Sequence, residues 1–191
     1  MLHIPNGTLT WQGTFQPDTD ELWMSMLRNE ITEREYWGIR SKEIGELAGY
    51  SNWKVVDMLK AICPKDSSKI LRPSALEIMQ QTKTAGLKVG VLTNEVELFN
   101  GKEWVDALPF RHDMDCWVDA THTKILKPDK RSYQFAIDAL QLKPYEILFV
   151  DDQIRNIAGA LKIGMRTLHF DITQPDACFE YIENVLNLNR V

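Results

Sequence analysis

The chain has 191 residues, of which 44% are hydrophobic and 26% charged, enough for one full core plus a small appendage and unlike a disordered or fibrous protein. A net charge of -5 with no basic stripe argues against a nucleic-acid surface, and no apolar run reaches the roughly eighteen residues that span a bilayer. The opening MLHIPNGTLTWQG lacks a basic-then-apolar leader, and Cys63, Cys116 and Cys178 are scattered, odd in number and without metal-type spacing. These features together describe a reduced, cytoplasmic protein of enzyme size.

Residues 1–17 show no periodicity and read as an irregular N-terminal segment. Residues 18–66 read as helices only. Asp18 is placed to cap a helix carrying Leu22, Trp23, Met26 and Leu27 on one face. Thr32 and Glu35 have capping-box spacing ahead of a helix with Tyr36, Ile39, Ile44 and Leu47 at near-helical intervals, stopped by Gly49. Ser51 is the expected cap of a third helix with Val56, Leu59 and Ile62 inward. Trp23, Trp37 and Trp53 are expected to lock these helices together. Pro64 to Ser68 read as a linker.

In residues 67–191 the pattern alternates. Pro73 opens a helix that Gly86 ends. Val89 to Leu92 is a short apolar run bounded by turns, as in a strand buried on both faces, and Cys116 to Val118 is a weaker one. Tyr133, Ala136, Ile137 and Leu140 follow helical spacing. Ile147 to Val150 is the clearest buried strand. Ile154, Ile157, Ala158 and Leu161 mark another helix, closed by Gly164. Thr167 to Phe170 is a further strand, and Cys178, Tyr181, Ile182 and Val185 lie on a last helix. Strands alternating with helices imply an α/β fold, a three-layer doubly wound parallel sheet, here preceded by a small helical module.

In such a sheet, ligands bind past the carboxyl ends of the strands. Thr93 and Asn94 follow the first strand, and Asp151 and Asp152 end the strongest one. Lys127-Pro128-Asp129 stands in the loop before the Tyr133 helix. A hydroxyl, a lysine and two adjacent carboxylates thus converge on one rim. Adjacent carboxylates repel unless they share a cation, which makes Mg²⁺ the natural occupant. Mg²⁺, an ammonium and a hydroxyl are what a phosphoryl group needs for charge neutralisation. Each feature also has a plain structural use, as a turn, a solvated loop or a helix-dipole partner. His112, His122 and His169 lack convincing metal-type partners and read as structural or surface residues.

The segments VGVLTNE, ILKPDKRSYQFAIDAL and ILFVDDQIRNIAGALKIGM resemble, in order, the haloacid dehalogenase-like hydrolase superfamily over about residues 70–170. The helical stretch 18–62 is similar to that family's small cap. The resemblance implies a Rossmann-like core acting on a small phosphorylated molecule with Mg²⁺. By the same resemblance Thr93 and Asn94 would bind the phosphoryl group and Lys127 would steady its charge. Asp152, Asp151 and Asn156 would hold or orient the metal. It further implies a first strand ending in a DxD nucleophile pair ahead of the cap. The expectation here is that this pair is missing and activity impaired, with Asp18 of Asp18-Thr19-Asp20 the weaker candidate for a displaced nucleophile. Two alternatives stay open. One is a non-catalytic protein of the same fold. The other is a phospho-accepting receiver domain, disfavoured because receivers present the acidic pair before the threonine and lysine.

Overall fold

Residues 3–63 and 66–188 are described in a computed structural model, and the chain divides into two compact units, one up to Asp66 and one from Ser67 onward. Pro64 and Lys65, read above as linker, lie outside the described residues.

In the first unit, Pro17 sets off a single 3-10 turn over Pro17–Thr19, so the chain reaches its first helix, α1 (Glu21–Leu27), one turn later than expected. The cap is therefore Asp20, whose Oδ1 accepts the Trp23 amide at 3.0 Å, and not Asp18. The α2 helix (Glu33–Leu47) opens with the expected reciprocal box. Thr32 Oγ1 accepts the Glu35 amide at 3.2 Å, and Glu35 accepts the Thr32 amide at 2.7 Å. The buried face of α2 carries Tyr36, Ser41, Ile44 and Gly45, whereas Ile39 and Leu47 point outward. Trp53 explains the rotation: a Cβ on Gly45 would stand 2.4 Å from the Trp53 Cβ, so the Trp53 side chain seats directly on that glycine and draws the stripe to its side. The α3 helix (Val55–Ile62) starts after a left-handed residue at Asn52. Its first turn is closed by the Asp57 carboxylate accepting the Lys54 amide at 3.0 Å, so Ser51 is not its cap. Trp23 and Trp37 meet the two sides of the buried Tyr36 ring edge-on, at 5.1 and 5.0 Å.

The second unit begins with α4 (Pro73–Thr84), closed by Gly86 at a left-handed φ of 76° that glycine alone adopts without cost. Then follow β1 (Gly90–Thr93), the short helices α5 (Val96–Asn100) and α6 (Lys102–Asp106), β2 (Cys116–Asp119), α7 (Ala120–Thr123) and α8 (Lys130–Leu140). The chain closes with β3 (Leu148–Asp151), α9 (Ile154–Lys162), β4 (Arg166–His169) and α10 (Pro175–Leu186).

All strand pairing is parallel, as alternating strands and helices require. Among the described residues it falls into two pairs, β1 with β2 and β3 with β4, rather than one continuous sheet. Each strand is hydrogen-bonded to another along one edge only. The helices and a shared core join the pairs. Tyr133 and Ile137 of α8, Ala160 of α9 and Met165 form one buried cluster that takes in Leu92 of β1 and Phe149 of β3. The β3 side chains are each partly exposed, less covered than a strand flanked on both edges would be. On α9 the buried residues are Asn156, Ile157, Gly159 and Ala160, while Ile154 and Leu161 are exposed. The contact face is set by Gly159, where an added Cβ would meet the Tyr133 hydroxyl at 2.6 Å and Pro128 at 3.0 Å.

Candidate functional site at the strand ends

Register brings four side chains to the carboxyl ends of the strands: Thr93 opposite Asp119, and Asp151 opposite His169. Lys127 joins the two pairs. It arrives on the loop between α7 and α8, where Asp129 caps α8 by accepting the Arg131 amide at 2.9 Å. Hydrogen bonds from the Arg131 side chain, then from its amide, hold the Asp129 carboxyl down to about 2. The Lys127 ammonium donates to the Leu92 carbonyl of β1 at 2.9 Å and to Asp151 Oδ2 of β3 at 2.6 Å. Both partners of this ion pair are nearly buried, with side chains 10% and 7% exposed, so the pair is little screened by solvent. The Phe149 ring lies 5.6 Å from the ammonium, adding an aromatic face to its surroundings.

Both oxygens of the Asp151 carboxylate are engaged. Besides Lys127, its Oδ1 accepts the Gln153 amide at 2.8 Å and the Asn156 Nδ2 at 3.0 Å. Asn156 is buried in the first turn of α9, and its remaining side-chain oxygen is buried with no hydrogen-bond partner. An unpaired buried acceptor costs free energy unless something supplies positive charge or a donor. Asp152, which follows Asp151 in the chain, is exposed on the rim, and its backbone carbonyl accepts Nε2 of His169 at 2.9 Å. A carboxylate and an amide oxygen are both ligand types that Mg²⁺ accepts, a cation that keeps several waters and takes few protein ligands. Among the described residues no cluster of three or more His, Cys, Asp or Glu side chains gathers to hold a metal by itself.

Asn94 sits beyond Thr93 and spends both polar ends of its side chain on the Lys127 backbone. Its Oδ1 accepts the Lys127 amide at 2.9 Å and its Nδ2 points to the Lys127 carbonyl at 3.4 Å. The Tyr133 hydroxyl donates to the Asn156 carbonyl at 2.8 Å. Burial, then the nearby Asp151 charge, push its pKa above the ordinary tyrosine range, so it remains a neutral donor.

Two rim residues escaped the sequence reading. Asp119 is almost fully buried at the end of β2 and accepts the Thr121 amide at 2.7 Å and the Glu97 amide at 3.0 Å, tying the loops after β1 and β2 together. Applying the strand-end rule to Cys116–Val118 would have found it. Glu95 is buried at a left-handed φ of 57°, just past Asn94, and nothing in its residue type signals that. A second DxD, Asp113-Met114-Asp115, was passed over. Asp115 lies at the opposite, amino end of β2, where both its oxygens bind Lys83 at 2.7 Å and it accepts the Val89 amide, a structural staple remote from the rim. The histidines separate: His112 is exposed in a 3-10 turn, His122 pairs with Glu97 at 3.1 Å, and His169 is on the rim.

Within the first unit, Asp18 is exposed in the Pro17–Thr19 turn. Its DxD partner Asp20 is fully buried. Asp20 accepts the Trp23 amide and the Tyr36 hydroxyl at 2.8 Å and forms an ion pair with Arg40. These bonds commit the Asp20 carboxylate to holding α1, Tyr36 and Arg40 together.

A parallel α/β unit with its polar residues gathered at the strand ends is the scaffold on which such folds place ligand sites. The haloacid dehalogenase-like hydrolase profile matches residues 6–164, and the chain belongs to that family. It is 26% identical over 187 residues to acyl-CoA dehydrogenase family member 10 of Mus musculus, covering 96% of this chain and 17% of that protein. Over 100 residues it is 34% identical to (S)-2-haloacid dehalogenase 4A of Burkholderia cepacia, covering 52% of this chain and 42% of that one. The chain thus spans less than half the length of either relative. Among solved structures, a HAD phosphatase from Thermococcus onnurineus matches with a TM-score of 0.59 at 15% identity, covering 91% of this chain and 82% of that one, a likeness of fold. No described helix is long and apolar enough to cross a membrane.

Proposed function

We propose that the rim is the phosphoryl-binding part of a Mg²⁺-dependent phosphomonoester hydrolase that acts on a small phosphorylated molecule in the cytoplasm, where the three free cysteines remain thiols. The observation that carries this reading is the nearly buried Lys127 ammonium, fixed between β1 and β3 one residue from Thr93. Thr93 donates its hydroxyl to a phosphoryl oxygen, and Lys127 neutralises the charge that oxygen carries, in surroundings where water does little of that work. Asp151, with both oxygens committed, orients Lys127 and does not attack. Asp152 and the orphaned oxygen of Asn156 would hold Mg²⁺, which supplies further charge neutralisation when bound.

A covalent route needs a carboxylate in line with the leaving group. The reading gives Asp18-Thr19-Asp20 no part in this, because Asp20 is buried and fully bonded. These 191 residues are therefore expected to bind phosphate much better than they turn over its esters. The same commitment of Asp20 favours, as a second reading, a non-catalytic phosphate-binding protein of this fold.

Calorimetric titration with inorganic phosphate, with and without Mg²⁺, tests the proposal. Mg²⁺ should strengthen binding, and Asp152→Ala should remove that gain. Lys127→Ala should weaken phosphate binding by about tenfold or more, the range for hydrogen bonds to charged groups. Unchanged phosphate affinity in Lys127→Ala would sink the proposal. Turnover of p-nitrophenyl phosphate that is absent in Asp18→Asn would instead restore Asp18 as nucleophile, and turnover indifferent to it separates the two readings.

A further inference from the structure

We infer that Asn94 is a positioning residue that acts on phosphate only through Lys127. The inference rests on the phosphate-binding reading above. Lys127 lies 33 residues beyond Asn94 and on no regular element, since α8 starts only at Lys130. Left to itself, a lysine on such a loop would lose much rotamer entropy on being fixed. Here one short stretch of β1 and the residue after it hold Lys127 at both ends. Asn94 Oδ1 accepts the Lys127 amide at 2.9 Å, with Nδ2 facing its carbonyl, and the Leu92 carbonyl two residues back accepts the ammonium at 2.9 Å. The side chain is stretched between these anchors, which brings Nζ to Asp151. The chain can present Asn94 in this way because it turns immediately afterwards, at Glu95, through a left-handed φ of 57°. On the far side of the loop, Pro128 rests on Gly159 of α9, where a Cβ would come within 3.0 Å, so the clasp closes against a fixed wall.

The amide oxygen of Asn94 and one hydrogen of its nitrogen are thereby directed at the Lys127 backbone. Its contribution to anion affinity passes through the lysine it sets in place, not through a direct bond. This differs from Thr93, whose hydroxyl the reading above sends to the ligand.

The distinction is measurable by a double-mutant cycle with inorganic phosphate as the probe. Asn94→Ala alone should weaken phosphate binding about three- to tenfold, as loss of a hydrogen bond does. Combined with Lys127→Ala, it should add nothing to the loss that Lys127→Ala causes by itself, because residues acting as a unit are not additive. Amide hydrogen exchange gives a second, ligand-independent readout. The Lys127 amide should exchange at least about tenfold faster in Asn94→Ala and keep its protection in Asn94→Asp, which retains the acceptor oxygen. Additive losses in the cycle would overturn the inference and make Asn94 a direct ligand. Unchanged exchange at Lys127 in Asn94→Ala would overturn it as well. If Lys127→Ala leaves phosphate affinity intact, the functional reading fails, and the exchange experiment still decides whether Asn94 holds the lysine.

Discussion

Asp20 shows how a residue that resembles chemistry in sequence is used for structure. Burial by itself would raise its pKa. Hydrogen bonds from Tyr36, from the Trp23 amide and from Arg40 outweigh that, and hold the carboxyl below its ordinary value of 3.8. A depressed folded-state pKa means that the unfolded chain takes up the proton first. The stability Asp20 contributes is therefore fully present above about pH 4 and is lost as pH falls through the lower, folded value. Asp20→Ala removes the cap and leaves Arg40 half-paired with Glu43, so it should cost about 3 to 5 kcal/mol, the range for breaking a buried ion pair. Denaturant unfolding at pH 7 measures this, and a loss below about 1 kcal/mol would show the pair to be dispensable. The variant should also lose the wild type's extra acid sensitivity below pH 4.

Among the elements, local rules were informative at several helix ends, though not at Asp18 or Ser51, whose expected cap positions fall to Asp20 and Lys54. The Thr32–Glu35 box, the proline starts of α4 and the glycine stop at Gly86 follow from neighbouring residues and are found where expected. Thr93 and Asp151 were legible because strand ends can be counted from apolar runs, whereas Lys127 stands on a loop and was singled out by its Lys-Pro-Asp sequence. What sequence could not supply is which face of a helix meets its partner. On α2 and α9 that choice is made by a distant side chain seated on a glycine, Trp53 on Gly45 and Pro128 with Tyr133 on Gly159, and no helical periodicity contains it. Both contacts predict outcomes. Gly159→Ala forces α9 away from Pro128 and Tyr133 and should destabilise by about 1 to 3 kcal/mol through overpacking. Thermal unfolding within experimental error of wild type would mean that Tyr133 swings aside freely. Along β3, the Ile147 and Asp151 carbonyls accept the Arg166 and Phe170 amides, so alternation turns Phe149 towards β4 and Leu148 and Val150 away. Hydrogen exchange should show slow amides at Phe149 and Asp151 and faster ones at Leu148 and Val150. Uniform protection along the strand would contradict that ladder.

At the scale of the whole molecule, the parallel α/β class expected from the sequence holds, and what the sequence leaves open is which strands are neighbours. Four strands in one open sheet would leave two unpaired edges, whereas two separate pairs leave four. Period and composition identify strands but not their neighbours, and so could not foretell this. The consequence lies in how the protein behaves in crowded solution. Every unpaired edge is a row of amides and carbonyls on which another chain can crystallise, strand upon strand, and each addition exposes a fresh edge of the same kind. Growth of that sort depends steeply on concentration and needs no loss of fold to begin. Light scattering of the purified chain should therefore give an apparent mass that climbs with protein concentration, and a mass that stays constant would mean that the surrounding helices shield the edges from one another.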